Sequence, residues 1–177
     1  MLAQLLNGLA SASSLFLLSL GLTLIFGVSR VVNFAHGSLA MLGLYLGVSL
    51  SAWLMPWLGG IGFWAAVAGA ALGVALVGAL IERVLLRRLY GSPELFQLVA
   101  TFALVLIIRD IALAIWGADD RLGPKAPGLT GVIAPGTLNL PVYDLVLMAT
   151  GLAVLVLSHG VLAWTRWGLQ LRAATED

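Results

Sequence analysis

The sequence contains no cysteine and few charged residues. Its 177 residues include 9 Lys and Arg and 8 Asp and Glu, so charged residues are 10% of the chain, where about 25% is usual in a soluble domain. Without cysteine the chain cannot form disulfides, thiolate nucleophiles or Cys-ligated metal centres. So few charges cannot cover the surface of a soluble core, and the composition also excludes disorder and nucleic-acid binding.

Apolar residues and glycine take the place of the missing charges. Hydrophobic side chains make up 61% of the chain and glycine occurs 21 times, whereas soluble domains are about 45–50% apolar. A glycine surplus in apolar sequence is typical of packed membrane helices. The composition predicts an all-α, polytopic inner-membrane protein.

Five segments are long and apolar enough to cross about 30 Å of hydrocarbon, which requires about 20 helical residues. The first basic residue, Arg30, follows the first segment instead of preceding it, which is not the pattern of a cleaved signal peptide. Met55-Pro56 and the turn at Gly59-Gly60 are expected to close the second segment, and Glu82-Arg83 is expected to close the third. The predicted spans lie near 9–28, 32–55, 61–81, 95–117 and 143–165.

The orientation follows from the distribution of Lys and Arg among the short loops, because basic loops stay in the cytoplasm. Most of the basic residues lie on one face of the predicted bundle, namely Arg30, Arg83, Arg87, Arg88, Arg166 and Arg172. Only Arg121 and Lys125 lie on the other. The N-terminus and the loop at 118–142 are therefore predicted to be extracytoplasmic, with a small β-hairpin around 131–140.

Small residues recur at helical spacing in three of the predicted spans. Ser19, Thr23 and Gly27 follow one another at intervals of four, and two GxxxG patterns occur at 43–47 and 69–73. Such patterns let two helix backbones approach closely. They predict a tightly packed bundle but give no information about function.

The predicted second helix opens with RVVNFAHG, residues 30–37. Asn33, His36 and Gly37 recur with further small residues at spacings of three, four or seven, which places them on one helical stripe. Because unpaired polar groups are costly in a bilayer, Asn33 and His36 either bond a neighbouring helix or line a pathway. Taken alone, they favour the first interpretation. His36 lacks the neighbouring ligands that a metal site requires.

Arg109 and Asp110 lie inside the fourth predicted span. Each charge costs about 2.5 to 3.5 kcal/mol at mid-span on insertion scales. Adjacent helical residues point about 100° apart, so the two do not simply neutralise each other. Either Arg109 reaches the outer interface while Asp110 bonds between helices, or both line a translocation route.

The sequence contains none of the motifs that would make it an enzyme. There is no phosphate-binding loop with Lys, no HExxH, and no intramembrane carboxylate pair. We expect no catalytic residue, no cofactor and no metal. If the protein moves a solute uphill, the energy must come from elsewhere.

Three stretches resemble a known family. The run GLTLIFGVSRVVNFAHGSLAMLG, residues 21–43, is similar to the signature of the permease subunits of branched-chain amino acid ABC importers, the Leu/Ile/Val high-affinity system. Asn33, His36 and Gly37 follow that family's pattern. LVATFALVLIIRD at 98–110 and TRWGLQLRAATED at 165–177 agree as well. The resemblance extends from one end of the chain to the other.

The resemblance implies a single transmembrane permease domain over 1–177, corresponding to the N-terminal portion of a family member. It implies a second permease subunit, two ATP-hydrolysing subunits and a periplasmic solute-binding protein as partners. It also implies that Arg166, Leu169 and Arg172 lead into the cytoplasmic loop that docks the ATPase. By this resemblance the chain is expected to be C-terminally truncated.

Other functions remain open from the sequence. Urea and short-chain amide permeases carry a closely similar Asn-x-Ala-His-Gly segment, although Phe34 favours the amino acid branch. Half of a secondary transporter and a structural membrane protein are further alternatives. Secondary transporters usually bind their coupling ion at intramembrane carboxylates or broken helices, and only Asp110 could serve.

Overall fold

The computed structural model describes residues 2–29, 33–133, 140–166 and 168–169. Five continuous helical stretches of the described chain are long and apolar enough to cross a membrane. The predicted all-α membrane bundle is confirmed. In chain order the elements are α1 (Leu2–Ser29), α2 (Ala35–Leu58), α3 (Gly60–Ile81), a π-helical segment (Glu82–Leu86), α4 (Arg87–Leu89), α5 (Glu94–Trp116), β1 (Val132–Ile133), β2 (Leu140–Pro141) and α6 (Val142–Trp164).

The elements group into two compact units. One unit contains α1, the two strands and α6, and the other contains α2, α3, the π-helical segment, α4 and α5. Many large apolar side chains stay exposed on both, such as Leu44 at 73% and Leu76 at 72%. Their exposure fits helices whose outer surfaces face lipid.

Helices α2 and α3 pack together through the glycines of both GxxxG patterns. A Cβ added at Gly43 would lie 3.3 Å from Val74, and one added at Gly47 would lie 3.8 Å from Ala70. Gly69 and Gly73 likewise face leucine side chains of α2 at 3.2 and 3.3 Å. The predicted packing role of these two motifs is confirmed.

The second helix ends at the predicted Gly59-Gly60 turn and not at Met55-Pro56. Pro56 lies inside α2, which continues to Leu58. Gly59 ends it, with φ at 56° and its N–H donating to the Met55 carbonyl at 2.9 Å. A proline in the last turn removes only one helical donor, whereas the left-handed backbone at Gly59 stops propagation.

The third span continues past Glu82-Arg83. The chain stays helical through the π-helical segment and α4 up to Leu89. Glu and Arg are good helix formers, so charge alone does not end a helix. Gln97 closes the following turn, because its Nε2 donates to the Leu89 and Ser92 carbonyls at 3.0 and 2.9 Å.

In the first unit, α1 packs on α6. Gly151 is buried, and a Cβ added there would lie 3.0 Å from the Ser13 Cβ. The predicted seam is not at this crossing. Ser19 and Thr23 are exposed, and a Cβ at Gly27 would meet nothing within 4 Å among the described residues.

Four hydroxyl groups of α1, those of Ser13, Ser14, Ser19 and Thr23, bond to the helix's own backbone. Ser13 donates to the Leu9 carbonyl at 2.9 Å, and Ser19 donates to the Phe16 carbonyl at 3.0 Å. Thr23 does the same to the Ser19 carbonyl at 2.9 Å. These side chains therefore need no partner from another helix.

The predicted small hairpin forms. Val132 pairs with Pro141 and Ile133 with Leu140 in an antiparallel register. The Val142 N–H donates to the Gly131 carbonyl at 2.9 Å, which joins the hairpin to the start of α6. The residues between the strands lie outside the described part of the chain.

Candidate functional site

The start of α2 contains the polar residues singled out in the sequence. The Asn33 side chain is 7% exposed, and its Oδ1 accepts a hydrogen bond from the Ala35 N–H at 3.0 Å. The Asn33 carbonyl accepts from the His36 N–H at 3.2 Å. Asn33 thus satisfies backbone donors that every helix start leaves open.

Asn33 does not lie on the predicted helical stripe. The helix begins at Ala35 and not near residue 32, so Asn33 precedes it and acts on its first turn. His36 and Gly37 do lie in that turn. His36 is half-buried, whereas Gly37 is exposed and a Cβ there would meet nothing within 4 Å.

The start of α2 lies level with the middle of α5. Ala35 is fully buried and packs with Leu104 and Ile108. Leu104 lies ten residues into α5, or about 15 Å at 1.5 Å per residue. The turn containing Asn33 and His36 is therefore deep within the span that α5 defines, although the sequence alone places it at a helix end.

Helices α2 and α5 run in the same direction. At the far end of the contact, the Trp116 Nε1 donates to the Ser49 Oγ at 2.7 Å, and the Trp116 ring stacks on Tyr45 with centroids 5.2 Å apart. Ala35, at the start of α2, contacts the middle of α5, and Ser49, later in α2, contacts the C-terminal end of α5. The two helices are therefore parallel. The parallel arrangement agrees with alternating membrane spans.

The face of α5 that meets the rest of its unit carries two polar residues that the sequence analysis missed. Gln97 and Thr101 are buried together with Leu104, Ile108 and Ala112. The Thr101 hydroxyl donates to the Gln97 carbonyl at 3.0 Å. The buried residues of this face are three or four residues apart, and this helical spacing could have identified the face from the sequence.

Arg109 and Asp110 lie away from that buried face. Both are exposed, and neither side chain forms a hydrogen bond or an ion pair with any part of the chain that the structure describes. At about 100° per residue, Asp110 points about 200° from Ile108, almost opposite the buried face. The two charges are beside Ile108, and so they lie level with the start of α2.

A groove of about 440 Å³ runs along α2 and α3. Of the described residues that line it, Ser51 is the polar side chain, and its hydroxyl already donates to the Val48 carbonyl at 2.8 Å. A zwitterionic amino acid needs partners for an ammonium and a carboxylate. The groove suits hydrocarbon better than such a solute.

A further hydrogen-bonded turn follows α6. The Thr165 hydroxyl accepts from the Gly168 N–H at 3.2 Å, and the Thr165 carbonyl accepts from the Leu169 N–H at 3.1 Å. Arg166 is exposed, and so is Leu169 at 61%. Arg172 and Arg30 lie outside the described residues.

Basic residues and a hydrogen bond between Tyr90 and Glu82 mark the end of the third span. Arg83, Arg87 and Arg88 are exposed, and the Tyr90 hydroxyl donates to Glu82. Burial, the hydrogen bond to Glu82 and its negative charge together raise the pKa of Tyr90 to about 12. This contact ties the residue after α4 back to the π-helical segment.

Residues 4–177 match the family described as branched-chain amino acid transport system / permease component. The high-affinity branched-chain amino acid transport system permease proteins LivH of Salmonella typhimurium and LivH of Escherichia coli are each 27% identical over 99% of this chain and 59% of their own length. BraD of Pseudomonas aeruginosa, which carries the same description, is 25% identical over the same shares.

The chain thus spans about 59% of the length of these curated relatives. No solved structure matches it. The family match covers nearly every residue, including all five spans. The chain belongs to the family of branched-chain amino acid transport permease components.

Proposed function

We propose that this chain is part of the membrane subunit of an ATP-driven importer that translocates branched-chain amino acids delivered by a periplasmic binding protein. The supporting observation is the family match over residues 4–177. The relatives are named as high-affinity branched-chain amino acid permeases, which supports the same substrate class.

Under this proposal the chain belongs to a single permease domain and is not itself an enzyme. A second permease subunit completes the pathway, and two ATP-binding subunits hydrolyse ATP. The sequence contains no phosphate-binding loop with Lys, which fits a chain that leaves nucleotide binding to its partners.

The proposed location is the inner membrane, with several spans and an extracytoplasmic N-terminus. Five apolar helices support the multi-pass part of the proposal. The exposed Arg83, Arg87 and Arg88 at the end of the third span support its orientation, because basic loops remain cytoplasmic.

We propose that the turn at Asn33, His36 and Gly37 borders the translocation pathway. Its depth supports this, because Ala35 packs against the middle of α5, and irregular backbone at membrane depth is tolerated where it is buried in protein or lines a cavity. His36→Leu should impair uptake, whereas Leu44→Ile, on an exposed apolar position, should not. Normal uptake by the His36→Leu protein would contradict this role.

We propose that the segment of Arg166, Leu169 and Arg172 leads into the ATPase contact. The exposure of Arg166 and Leu169 just after α6 supports a cytoplasmic contact there. Replacing Leu169 by Glu should weaken co-purification of the ATP-binding subunit, whereas Leu122→Glu, at a loop position that is 93% exposed, should not and so controls for an added surface charge. Equal retention of the ATPase by the Leu169→Glu protein and the parent would contradict this contact.

The decisive experiment is leucine uptake by the assembled importer. Uptake should require ATP and the solute-binding protein, and unlabelled isoleucine or valine should compete with it. Uptake that continues without ATP but depends on an ion gradient would indicate a secondary transporter. Competition by urea or acetamide, and not by valine, would assign the chain to the amide branch.

A further inference from the structure

The start of α2 takes its hydrogen bonds from a residue outside the helix. Phe34 directly precedes α2, but its apolar side chain forms no cap bond. Asn33, one residue earlier, supplies two acceptors instead. Its Oδ1 accepts from the Ala35 N–H at 3.0 Å, and its carbonyl accepts from the His36 N–H at 3.2 Å. One residue thus serves two of the four N–H groups that a helix start leaves open.

The bond to Ala35 depends on the short side chain of Asn33. Its oxygen reaches the N–H two residues further along the chain, which is the pattern of an Asx turn. Because an N–H can only donate, the bonded atom of the carboxamide is its oxygen. Asn33 is 7% exposed, so little water can reach the turn and replace that oxygen. The carboxamide oxygen therefore holds this turn.

Apolar packing fixes the other side of the first turn. Ala35 is fully buried in a cluster with side chains of α5 and of the third span, namely Leu104, Ile108, Ile81 and Leu85. His36 follows Ala35 directly and lies in the same turn. The position of His36 is therefore set by two buried contacts, the apolar cluster and the hydrogen bonds to Asn33.

We propose that Asn33 is a positioning residue for transport, whose carboxamide oxygen holds the first turn of α2 and so keeps His36 in place at the border of the translocation pathway. The inference rests on the proposed function and deepens it by giving Asn33 a role distinct from that of His36. Asn33 acts through the backbone and not by contact with the solute. Loss of its oxygen is costly at membrane depth, because no bulk water is there to bond the freed N–H.

Three substitutions at Asn33 separate the effect of its oxygen from that of its size. Asn33→Leu has no acceptor, Asn33→Gln carries its carboxamide on a chain one methylene longer, and Asn33→Asp keeps an oxygen in place. In the assembled importer, Asn33→Leu and Asn33→Gln should lower the maximal rate of leucine uptake about fivefold or more, the scale of a lost capping oxygen. KM should not change, and Asn33→Asp should recover most of the rate. Parent rates from Asn33→Leu and Asn33→Gln would overturn the proposal.

A neutral rescue is needed as well, because a carboxylate is costly at this depth. The hydroxyl of Asn33→Ser forms the same kind of turn more weakly, so this variant should transport faster than Asn33→Leu, with rates compared per importer found in the membrane. If neither Asn33→Asp nor Asn33→Ser exceeds Asn33→Leu, the acceptor does not matter and the proposal is wrong. The control is Ser51→Ala, at a buried position of α2 where the hydroxyl bonds to the Val48 carbonyl; it should transport at the parent rate.

Thiol reactivity tests whether the effect is confined to the first turn. The chain has no native cysteine, so Ser38→Cys and Ser49→Cys each place one thiol at a half-buried position of α2, the first in its first turn and the second further along. Adding Asn33→Leu should make N-ethylmaleimide modify residue 38 about fivefold faster and leave the rate at residue 49 unchanged. Faster modification at both positions would indicate a general loss of stability and overturn the positioning role, as would an unchanged rate at residue 38.

The two measurements keep this inference apart from the proposed function. Uptake that depends on an ion gradient and not on ATP rejects the importer, while modification of residue 38 still reports on the role of Asn33 in the turn. ATP-driven uptake that is unaffected by Asn33→Leu rejects the role of Asn33 alone.

Discussion

The Trp116 indole nitrogen donates a hydrogen bond to the Ser49 hydroxyl at 2.7 Å, joining the end of α5 to α2. The same ring stacks on Tyr45. The bond crosses between two helices, whereas most other hydroxyl bonds in the described chain return to the backbone of their own helix. It therefore fixes the register of the parallel helices at one end, as the packing of Ala35 on Leu104 does at the other.

Removing this bond should weaken the α2–α5 contact. Trp116→Phe keeps an aromatic ring against Tyr45 but loses the donor, and Ser49→Ala loses the acceptor. We expect a coupling of about 0.6 kcal/mol between the two sites in a double-mutant cycle, the average for hydrogen bonds in a membrane protein. The measurement is unfolding in a mixed detergent series. Ser51→Ala is the control, because its hydroxyl bonds only within α2 and should show no coupling to Trp116.

The turn between α2 and α3 should not accept alanine at Gly62. An added Cβ would lie 2.7 Å from the Leu54 carbonyl oxygen and 2.9 Å from the Met55 Cα, both of them backbone atoms that cannot move aside alone. Gly62→Ala should lower stability by about 1–3 kcal/mol, as overpacking does. Gly78→Ala on the same helix meets nothing within 4 Å and should be neutral or stabilising. Equal stability of the two variants would show that the turn relaxes freely.

Gly168 should be equally intolerant. A Cβ there would run into the backbone of Leu162, so Gly168→Ala should disrupt the turn after α6. Limited proteolysis from the side proposed to be cytoplasmic should then cleave sooner after Thr165 than in the parent. Gly160→Ala, whose Cβ would lie 3.7 Å from the Trp164 ring, provides the comparison and should leave cleavage unchanged.

The orientation predicts opposite labelling of two loops. With no native cysteine, Arg88→Cys and Lys125→Cys each present one thiol at an exposed position. An impermeant thiol reagent added to sealed cells should label position 125 and not position 88. Labelling of position 88 alone would reverse the topology.

The Tyr90 contact should respond to alkaline pH. Its pKa, raised to about 12 from 10.0, favours the protonated hydroxyl in the folded protein. The contact therefore stabilises the fold fully below about pH 10 and ceases to do so as the pH rises toward 12. In a titration followed at 295 nm, Tyr90→Phe should remove the last-titrating phenol. An unchanged late phase would assign the high pKa to a different tyrosine.

Helical spacing predicted the small faces through which α2 and α3 pack, and the lengths of the apolar segments predicted five spans. Gly43 and Gly47 contact α3, because a stripe of small residues lets two helix backbones approach closely in a bilayer. The hairpin at 132–141 also follows local alternation. These features depend on residues that are close together in the sequence, so the sequence alone is enough to predict them.

The register between distant helices could not be obtained in this way. Asn33 has the same spacing from Gly37 whether it lies on the helix or ahead of it, and only the tertiary position of Ala35 shows the depth of that turn. Gln97 illustrates the same limit. Its partners are the Leu89 and Ser92 carbonyls, and a sequence does not show which backbone groups lack a donor.

The internal bonding of α1 has a consequence for biosynthesis. Its packing partner α6 begins more than a hundred residues later in the chain, and at 5–20 residues per second a ribosome needs on the order of ten seconds to supply it. During that interval α1 lies in the bilayer without α6. Because Ser13, Ser19 and Thr23 donate to carbonyls of the preceding turn of α1, these hydroxyls are satisfied before α6 is made.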